Sequence, residues 1–267
     1  MITQLRPALA VLKRDFLVAS SYRGPFLTGL VGGFATIAIF YYVSRLVRLE
    51  SSLAPDAYFA FVTIGIVFFT VVTATLTTPH QVLRQELVAG TFERFLLAPG
   101  GTITSIVSLL LFPALYALLT VVTMLMFAAV VFGLELHWPT VPVAAPLALL
   151  AILAFAPFGI LLQASVVIAK RAPPGTNYVI LLIALISGLY FPVALLPGWV
   201  QWTSEVQPFT PAVDLLRWSL VGQPLADPAW LDLVKLVGFT VVMMPVAIVV
   251  MAATLRQSRR RGTILEF

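Results

Sequence analysis

Six stretches of this 267-residue chain are apolar for about 20 residues or more, the length a helix needs to cross about 30 Å of hydrocarbon. They run Pro25–Ser44, Tyr58–Thr78, Ile103–Phe132, Val143–Ala169, Thr176–Leu196 and Leu233–Leu255. The segments are continuously apolar rather than alternating, so the expected fold is an all-α integral membrane protein with six transmembrane helices, not a β-barrel. The third and fourth exceed the required length and are expected to tilt, or to bend at Pro113, Pro146 and Pro157, where the ring removes a backbone donor. Composition points the same way. Apolar residues make up 60% and charged residues 10%, with a mean hydropathy of +1.03, against about 45–50% and about 25% in soluble domains. A water-soluble globular enzyme, a disordered chain and a nucleic-acid-binding module are excluded. The absence of cysteine removes disulfides, thiolate catalysis and Cys-ligated metals.

Charge sets the expected orientation. Twelve of the sixteen Lys and Arg fall on one side of the spans, and only Arg45, Arg48, Arg217 and Lys235 on the other. The eleven acidic residues split the opposite way, four against seven. Basic residues favour the cytoplasmic side, which puts both termini in the cytoplasm, as an even number of spans requires. All five tryptophans (Trp138, Trp199, Trp202, Trp218, Trp230) then lie at the outer interface, where indole rings sit well among headgroups. Ile2, Leu5, Leu9, Leu12 and Phe16 recur at helical spacing. They read as an N-terminal amphipathic helix lying in the membrane interface, with a short solvated leader as the alternative. Lys13, Arg14 and Asp15 interrupt any signal-peptide core.

On these boundaries no Asp, Glu or His lies deep within a span, which argues against a proton relay. The two histidines, His80 and His137, fall on opposite sides and cannot share a metal, so neither a metal site nor a catalytic residue is expected. No G-x-x-x-x-G-K-[ST] phosphate-binding loop occurs. If ATP drives this protein, another chain binds it.

Two segments carry more information. Between His80 and Thr102, Gly90 can break one helix and Thr91 cap a second, in which Phe92, Phe95 and Leu96 form an apolar ridge beside Glu93 and Arg94. Such a helix serves equally well as a rigid contact for a cytoplasmic partner or as a connector packed on its own bundle. Between Ser187 and Gly222, the broken pieces Gly188-Leu189-Tyr190-Phe191-Pro192 and Leu196-Pro197-Gly198-Trp199 precede Pro208-Phe209-Thr210-Pro211 and Asp214-Leu215-Leu216-Arg217. Irregular backbone at membrane depth is tolerated where protein buries it or where it lines a cavity. A short external re-entrant hairpin followed by an interfacial helix is expected, with Asp214 and Arg217 able to pair at i, i+3. The reading is a gate, and the alternative is an external lid with no part in passage.

The run Glu86…Gly90-Thr91-Phe92-Glu93…Leu96-Leu97…Pro99 resembles the E-x-x-x-G-T-x-E-x-x-L-x-x-P signature of permease subunits in ABC-2 type exporters. The run Ser187-Gly188…Phe191-Pro192…Leu196-Pro197…Trp199, followed by Pro208…Pro211…Leu216-Arg217…Gly222, is similar to that family's carboxy-terminal half. The resemblance implies a single domain over 1–267. Its parts are an interfacial helix (1–24), spans one and two (25–79), a coupling loop (80–102), spans three to five (103–196), an external gate region (197–232), span six (233–255) and a basic tail (256–267). It implies that Arg84, Glu86, Gly90, Thr91, Phe92, Glu93 and Arg94 meet a separate ATPase subunit, which holds the ATP and Mg while this chain carries no cofactor. It also implies that Gly188, Tyr190, Phe191, Pro192, Pro197, Trp199, Asp214 and Arg217 form the gate. Two ATPases and two permease copies, identical rather than different, are expected in the plasma membrane among its lipids. Gly29-Leu30-Val31-Gly32-Gly33 contains a G-x-x-x-G, read as close helix packing or as chance.

Family members export drugs, antibiotics, lipids and lipid-linked polysaccharides. The polysaccharide branch often carries an R-Y-x-x-S-x-L-G-x-x-W type approach to span one. Ser21–Gly29 lacks that pattern, so a drug or lipid cargo fits better, with lipid-linked polysaccharide or O-antigen as the alternative. An ion-coupled secondary transporter and a membrane assembly scaffold remain as rivals of another class. Charge reversal at Glu86 or Glu93 is expected to uncouple ATP hydrolysis from transport while leaving membrane insertion intact, and normal export by such variants would overturn the coupling assignment.

Overall fold

The computed structural model describes residues 2–21, 24–46, 55–92, 102–169, 175–225 and 227–260. Among these the chain is helical, with no strand. The elements are α1 (Ile2–Ser21), α2 (Gly24–Leu46), α3 (Pro55–Val88), α4 (Thr102–Ser108), α5 (Leu111–Phe132), α6 (Val141–Ala169), α7 (Thr176–Ile186), a 3-10 turn (Val193–Leu195), α8 (Gly198–Val206), α9 (Phe209–Val221) and α10 (Ala229–Arg260). Five stretches are long and apolar enough to cross a membrane, namely Leu27–Leu46, Pro55–Val88, Thr102–Phe132, Val141–Ala169 and Ala229–Ser258. The fifth apolar segment of the sequence, read as running to Leu196, is instead helical only over the 11 residues Thr176–Ile186. That helix is about 16 Å long, half a bilayer core.

Two proline effects shift the sequence boundaries. The second span does not stop at Thr78, because α3 continues through Pro79 for nine further residues to Val88. Pro79 has no N–H to bond the Thr75 carbonyl. That carbonyl instead lies against Gly159 of α6, so close that a Cβ on Gly159 would stand 2.9 Å from it. His80, placed in a loop by the sequence, is consequently a buried helical residue whose ring Nδ1 lies 2.9 Å from the Leu76 carbonyl. The third apolar segment breaks at Leu109–Leu110, four and three residues before Pro113, with Leu109 N–H turning to Ile106 and Leu110 N–H to Val107. By contrast α6 runs unbroken through Pro146 and Pro157.

The bundle is built around α3, whose apolar window is 72% buried, against 17% for those of α2 and α10. Helices in lipid gain little from apolar burial as such. Close packing and polar satisfaction hold them together. Aromatic rings do much of this. Phe68 of α3, Phe155 of α6 and Phe209 of α9 meet edge to face with centroids 5.1–6.0 Å apart. At one end Tyr41 of α2, Phe59 of α3 and Phe132 of α5 form a second cluster, and Arg45 pairs with Asp56 at 2.7 Å. Trp138, in the connection between α5 and α6, is exposed, as are Trp199 and Trp202 of α8 and Trp230 of α10, while Trp218 is half-buried. At the opposite end Leu83, Leu87, Phe92, Ile106, Ile160 and Leu255 share a separate core. Here α1 packs against α4 and α5, so α1 and the last turns of α10 lie at the same end of the bundle. In the G-x-x-x-G of α2, Gly33 receives Met124 of α5, whereas Gly29 and Gly32 face open space.

Gly65 is the tightest point. A Cβ there would run into the Leu189 carbonyl and stand 3.2 Å from the Arg217 guanidinium. Gly65→Ala is expected to destabilise the protein by about 1–3 kcal/mol through overpacking, whereas Gly29→Ala should stay within about 0.5 kcal/mol of the parent. Thermal unfolding in lipid nanodiscs checks both, and equal behaviour of the two variants would remove the close-approach argument.

Candidate functional site

The stop of α7 creates the first site. A helix end leaves its last carbonyls without intrahelical donors, and an apolar surrounding offers no water to replace them. The chain turns at Ser187 and Gly188, the latter at φ +79°, a conformation glycine adopts without strain. Side chains from elsewhere then take the carbonyls in order. Ser204 Oγ donates to Ile186 (3.0 Å) and Thr210 Oγ1 to Ser187 (3.2 Å). Arg217 Nη2 donates to both Gly188 and Leu189 at 3.0 Å, and the Tyr58 hydroxyl donates to Tyr190 at 3.3 Å. Because Ser204 comes back to Ile186, the segment between them leaves the bundle and returns to its starting point.

Arg217 is the centre of this arrangement. Its side chain is 2% exposed. Nε donates to the Phe61 carbonyl of α3 (3.2 Å) and Nη1 to Asp214 Oδ1 (3.3 Å), while the guanidinium carbon lies 3.4 Å from the centre of the Phe61 ring. Five planar donors suit a guanidinium to such a fan of acceptors, where a lysine ammonium would not reach them all. Burial pushes the Asp214 carboxyl above the usual carboxylate range and pulls the Arg217 guanidinium down to about 10, in each case against the other's charge. A cavity of about 290 Å³ opens beside the pair and is also lined by Asp227, Asp232 and Lys235, with Lys235 Nζ 3.3 Å from Asp227 Oδ2.

The sequence-assigned gate residues fall around this point with different exposure. Gly188 is buried, and Tyr190 is half-buried and stacked on Phe40 at 5.5 Å. Phe191 and Pro192 are half-buried, while Pro197 and Trp199 are exposed on the returning arm. The Asp214–Arg217 pair forms as its spacing predicts. Sequence reasoning missed Phe61, Gly65, Ser204 and Thr210. Only Gly65 left a trace, as a lone glycine inside an apolar run, which signals close backbone approach.

The second site is the end of α3. Gly90, at φ +68°, sends its N–H to Leu87 (3.1 Å), and Thr91 sends its N–H to Glu86 (3.0 Å). This is the paired bonding of a glycine-terminated helix. Thr91 Oγ1 also donates to the Glu86 carboxylate, so Thr91 closes the first helix by a side-chain bond. Glu86 Oε1 accepts from Arg14 Nη1 of α1 at 2.9 Å, and Arg14 also binds Asp15. Glu86 therefore points into the bundle, Arg84 is exposed, and Phe92 is buried in the core it shares with Leu83 and Ile160. Glu93 and Arg94, with the rest of 93–101, lie outside the described residues, as do Lys170, Arg171 and the tail from 261.

Arg217→Gln is expected to destabilise the protein by about 1–3 kcal/mol, since it leaves the buried Gly188, Leu189 and Phe61 carbonyls without their donor. It should also raise thiol labelling of a Tyr190→Cys reporter in this otherwise cysteine-free chain, and Arg217→Lys should restore neither. Labelling and unfolding unchanged from the parent would show that the carbonyls find other donors.

Comparison with known proteins adds one finding. A family model, ABC-2 type transporter, matches residues 7–221, a stretch that takes in both sites. No individual curated protein matches the chain.

Proposed function

The chain belongs to the ABC-2 type transporter family, and from that premise we propose that it is the permease subunit of an ATP-driven exporter, moving an amphipathic or lipid-linked molecule (a drug, lipid or glycolipid) out across the plasma membrane. Members of this family are the membrane component of a transporter, not its catalyst, and normally work with an ABC ATPase subunit. The observation that carries the reading is a multi-pass apolar bundle with an irregular, polar-stitched break at one end and a capped, charged helix end at the other. The ends bearing α1 and the C-terminus face the cytoplasm in this reading. Residues 84–94 meet the ATPase, of which two copies bind two copies of this chain. Arg84, exposed at the end of α3, belongs to the contact surface. Glu86 serves it indirectly by holding α1 and the turn at Gly90 in place.

Nucleotide binding then acts by preferring one arrangement of the permease over another, which is the only way a ligand can shift a conformational equilibrium. A move of the α3 end large enough to carry the Thr75–Gly159 contact with it is transmitted along that helix to Phe61 and Gly65, against which the Gly188–Leu189 break rests. Opening at the outer end consists of displacing that break and its returning arm.

Purification of the tagged chain from its native membrane is expected to bring down a nucleotide-binding chain. Arg84→Glu combined with Arg94→Glu should reduce export at least about tenfold, equivalent to about 1.4 kcal/mol, with unchanged amounts of the chain in the membrane. Export at parental rates, or a purified chain with no ATPase attached, would overturn the proposal. The Arg pair is the cleaner test than Glu86, whose reversal also breaks the bonds to Arg14 and Thr91.

A further inference from the structure

A cavity of about 720 Å³ lies not at the Gly188 break but between α1, α3 and α5 at the opposite end of the bundle. Its lining is mainly apolar, with a charged cluster among the polar groups. One end is polar and consists of Arg14 and Asp15 of α1 with Glu86 and Thr91 at the end of α3. The remainder is mostly apolar, made by Val18, Ala74, Val82 and Leu109 among others with Thr78 and Gln85, and it includes two rings of α5, Phe112 and Tyr116. The ring centroids lie 6.0 Å apart, one helical turn from each other.

Among the described residues the formal charges of the polar end do not balance. Arg14 supplies one positive charge and is held by both carboxylates, at 2.8 Å from Asp15 and 2.9 Å from Glu86. By formal charge, one arginine against two carboxylates leaves one net negative charge among the described residues. The other polar groups on the wall, Thr78, Gln85, Thr91 and the Tyr116 phenol, add no cation. Both carboxylates are largely shielded, with side-chain exposures of 15% and 18%, so water screens this excess poorly. An apolar chamber with aromatic walls and an uncompensated carboxylate is the chemistry that recognises a lipophilic cation. The ring faces attract positive charge, the apolar wall takes the body of the ligand, and the same field repels an anion of equal size.

We propose that this cavity binds a lipophilic organic cation, with Asp15 and Glu86 supplying the charge preference and Phe112 and Tyr116 the aromatic wall. The proposal rests on the permease reading only in taking that cation as cargo or as a regulator of export. The binding itself requires neither ATP nor a partner. Glu86 thereby has two tasks, since the carboxylate that fixes the end of α3 also faces the ligand.

Tetraphenylphosphonium and tetraphenylborate are matched in shape and apolar surface and opposite in charge, which makes them the probes of choice. Radiolabelled probe binding is measured on the full chain in nanodiscs of zwitterionic lipid, with protein-free discs subtracted. Tetraphenylphosphonium is expected to bind at least about tenfold more tightly than tetraphenylborate. Asp15→Asn and Glu86→Gln should each weaken it several-fold, Arg14→Gln should strengthen it, and Ala74→Trp should block it by filling the chamber. An azide derivative of tetraphenylphosphonium should label peptides containing residues 14–19 or 109–116 of the unaltered protein, a readout that survives if a variant fails to fold. Equal affinity for the two ions, no response to the charge substitutions, or labelling confined to other peptides would overturn the proposal. An ATPase that copurifies while the probe fails to bind would leave the permease reading standing and remove this one. Probe binding with no ATPase would do the reverse.

Discussion

A helix that ends inside a packed bundle faces a cost no other part of the fold can ignore, because each buried carbonyl left without a donor costs about 1–3 kcal/mol. The chain meets this at α7 with donors drawn from three separate elements. Ser204 comes from α8, Thr210 and Arg217 from α9, and Tyr58 from α3. Five successive residues, Ile186 to Tyr190, have their carbonyls taken in this way. The break is therefore a stitched joint rather than a loose loop. Its position relative to α3 is set by the absence of a side chain at Gly65 and by the Phe61 carbonyl that accepts from Arg217. Remove the arginine, and the short helix, its returning arm and the outer half of α3 lose their common partner together.

The two sites share one continuous element. Phe61 and Glu86 both belong to α3, 25 residues apart, which at 1.5 Å per residue is roughly 38 Å along the axis. Energetic coupling between distant sites needs contiguous structure with more than one arrangement, and a single buried helix is the simplest such structure. The cluster at the inner end is electrostatic, an arginine bridging two carboxylates across α1 and α3. At the outer end it is a hydrogen-bond fan on backbone oxygens.

Much of this was legible in the sequence, and the limits have physical reasons. The spans could be read because bilayer thickness imposes a minimum apolar length. The Asp214–Arg217 pair could be read because i, i+3 contacts are local. The turn at Gly90 was visible for the same reason, since one glycine and the threonine after it suffice to end a helix. The continuation of α3 past Pro79 was not legible, because proline ordinarily marks a helix end and its tolerance depends on Gly159 of a different span. The partners of the broken backbone were invisible as well, because serine, threonine and arginine donors to main-chain oxygen leave no pattern in spacing. Glu86 was read as facing outward from a family motif. Its bond to Arg14 joins residues 72 positions apart, and nothing in either neighbourhood announces it.

The contact between Gly159 and the Thr75 carbonyl divides α3 mechanically. Outward of it, the helix is clamped by α6 and α9 and travels with them. Inward of it lie Pro79, with its missing hydrogen bond, and nine residues ending at Val88, an arm of about 13 Å. A tilt of about 10° about the proline would carry the tip roughly 2 Å. That is comparable to the gap between neighbouring side chains in a packed interface, and the joint at Gly188 would feel no torque until the clamp itself moved.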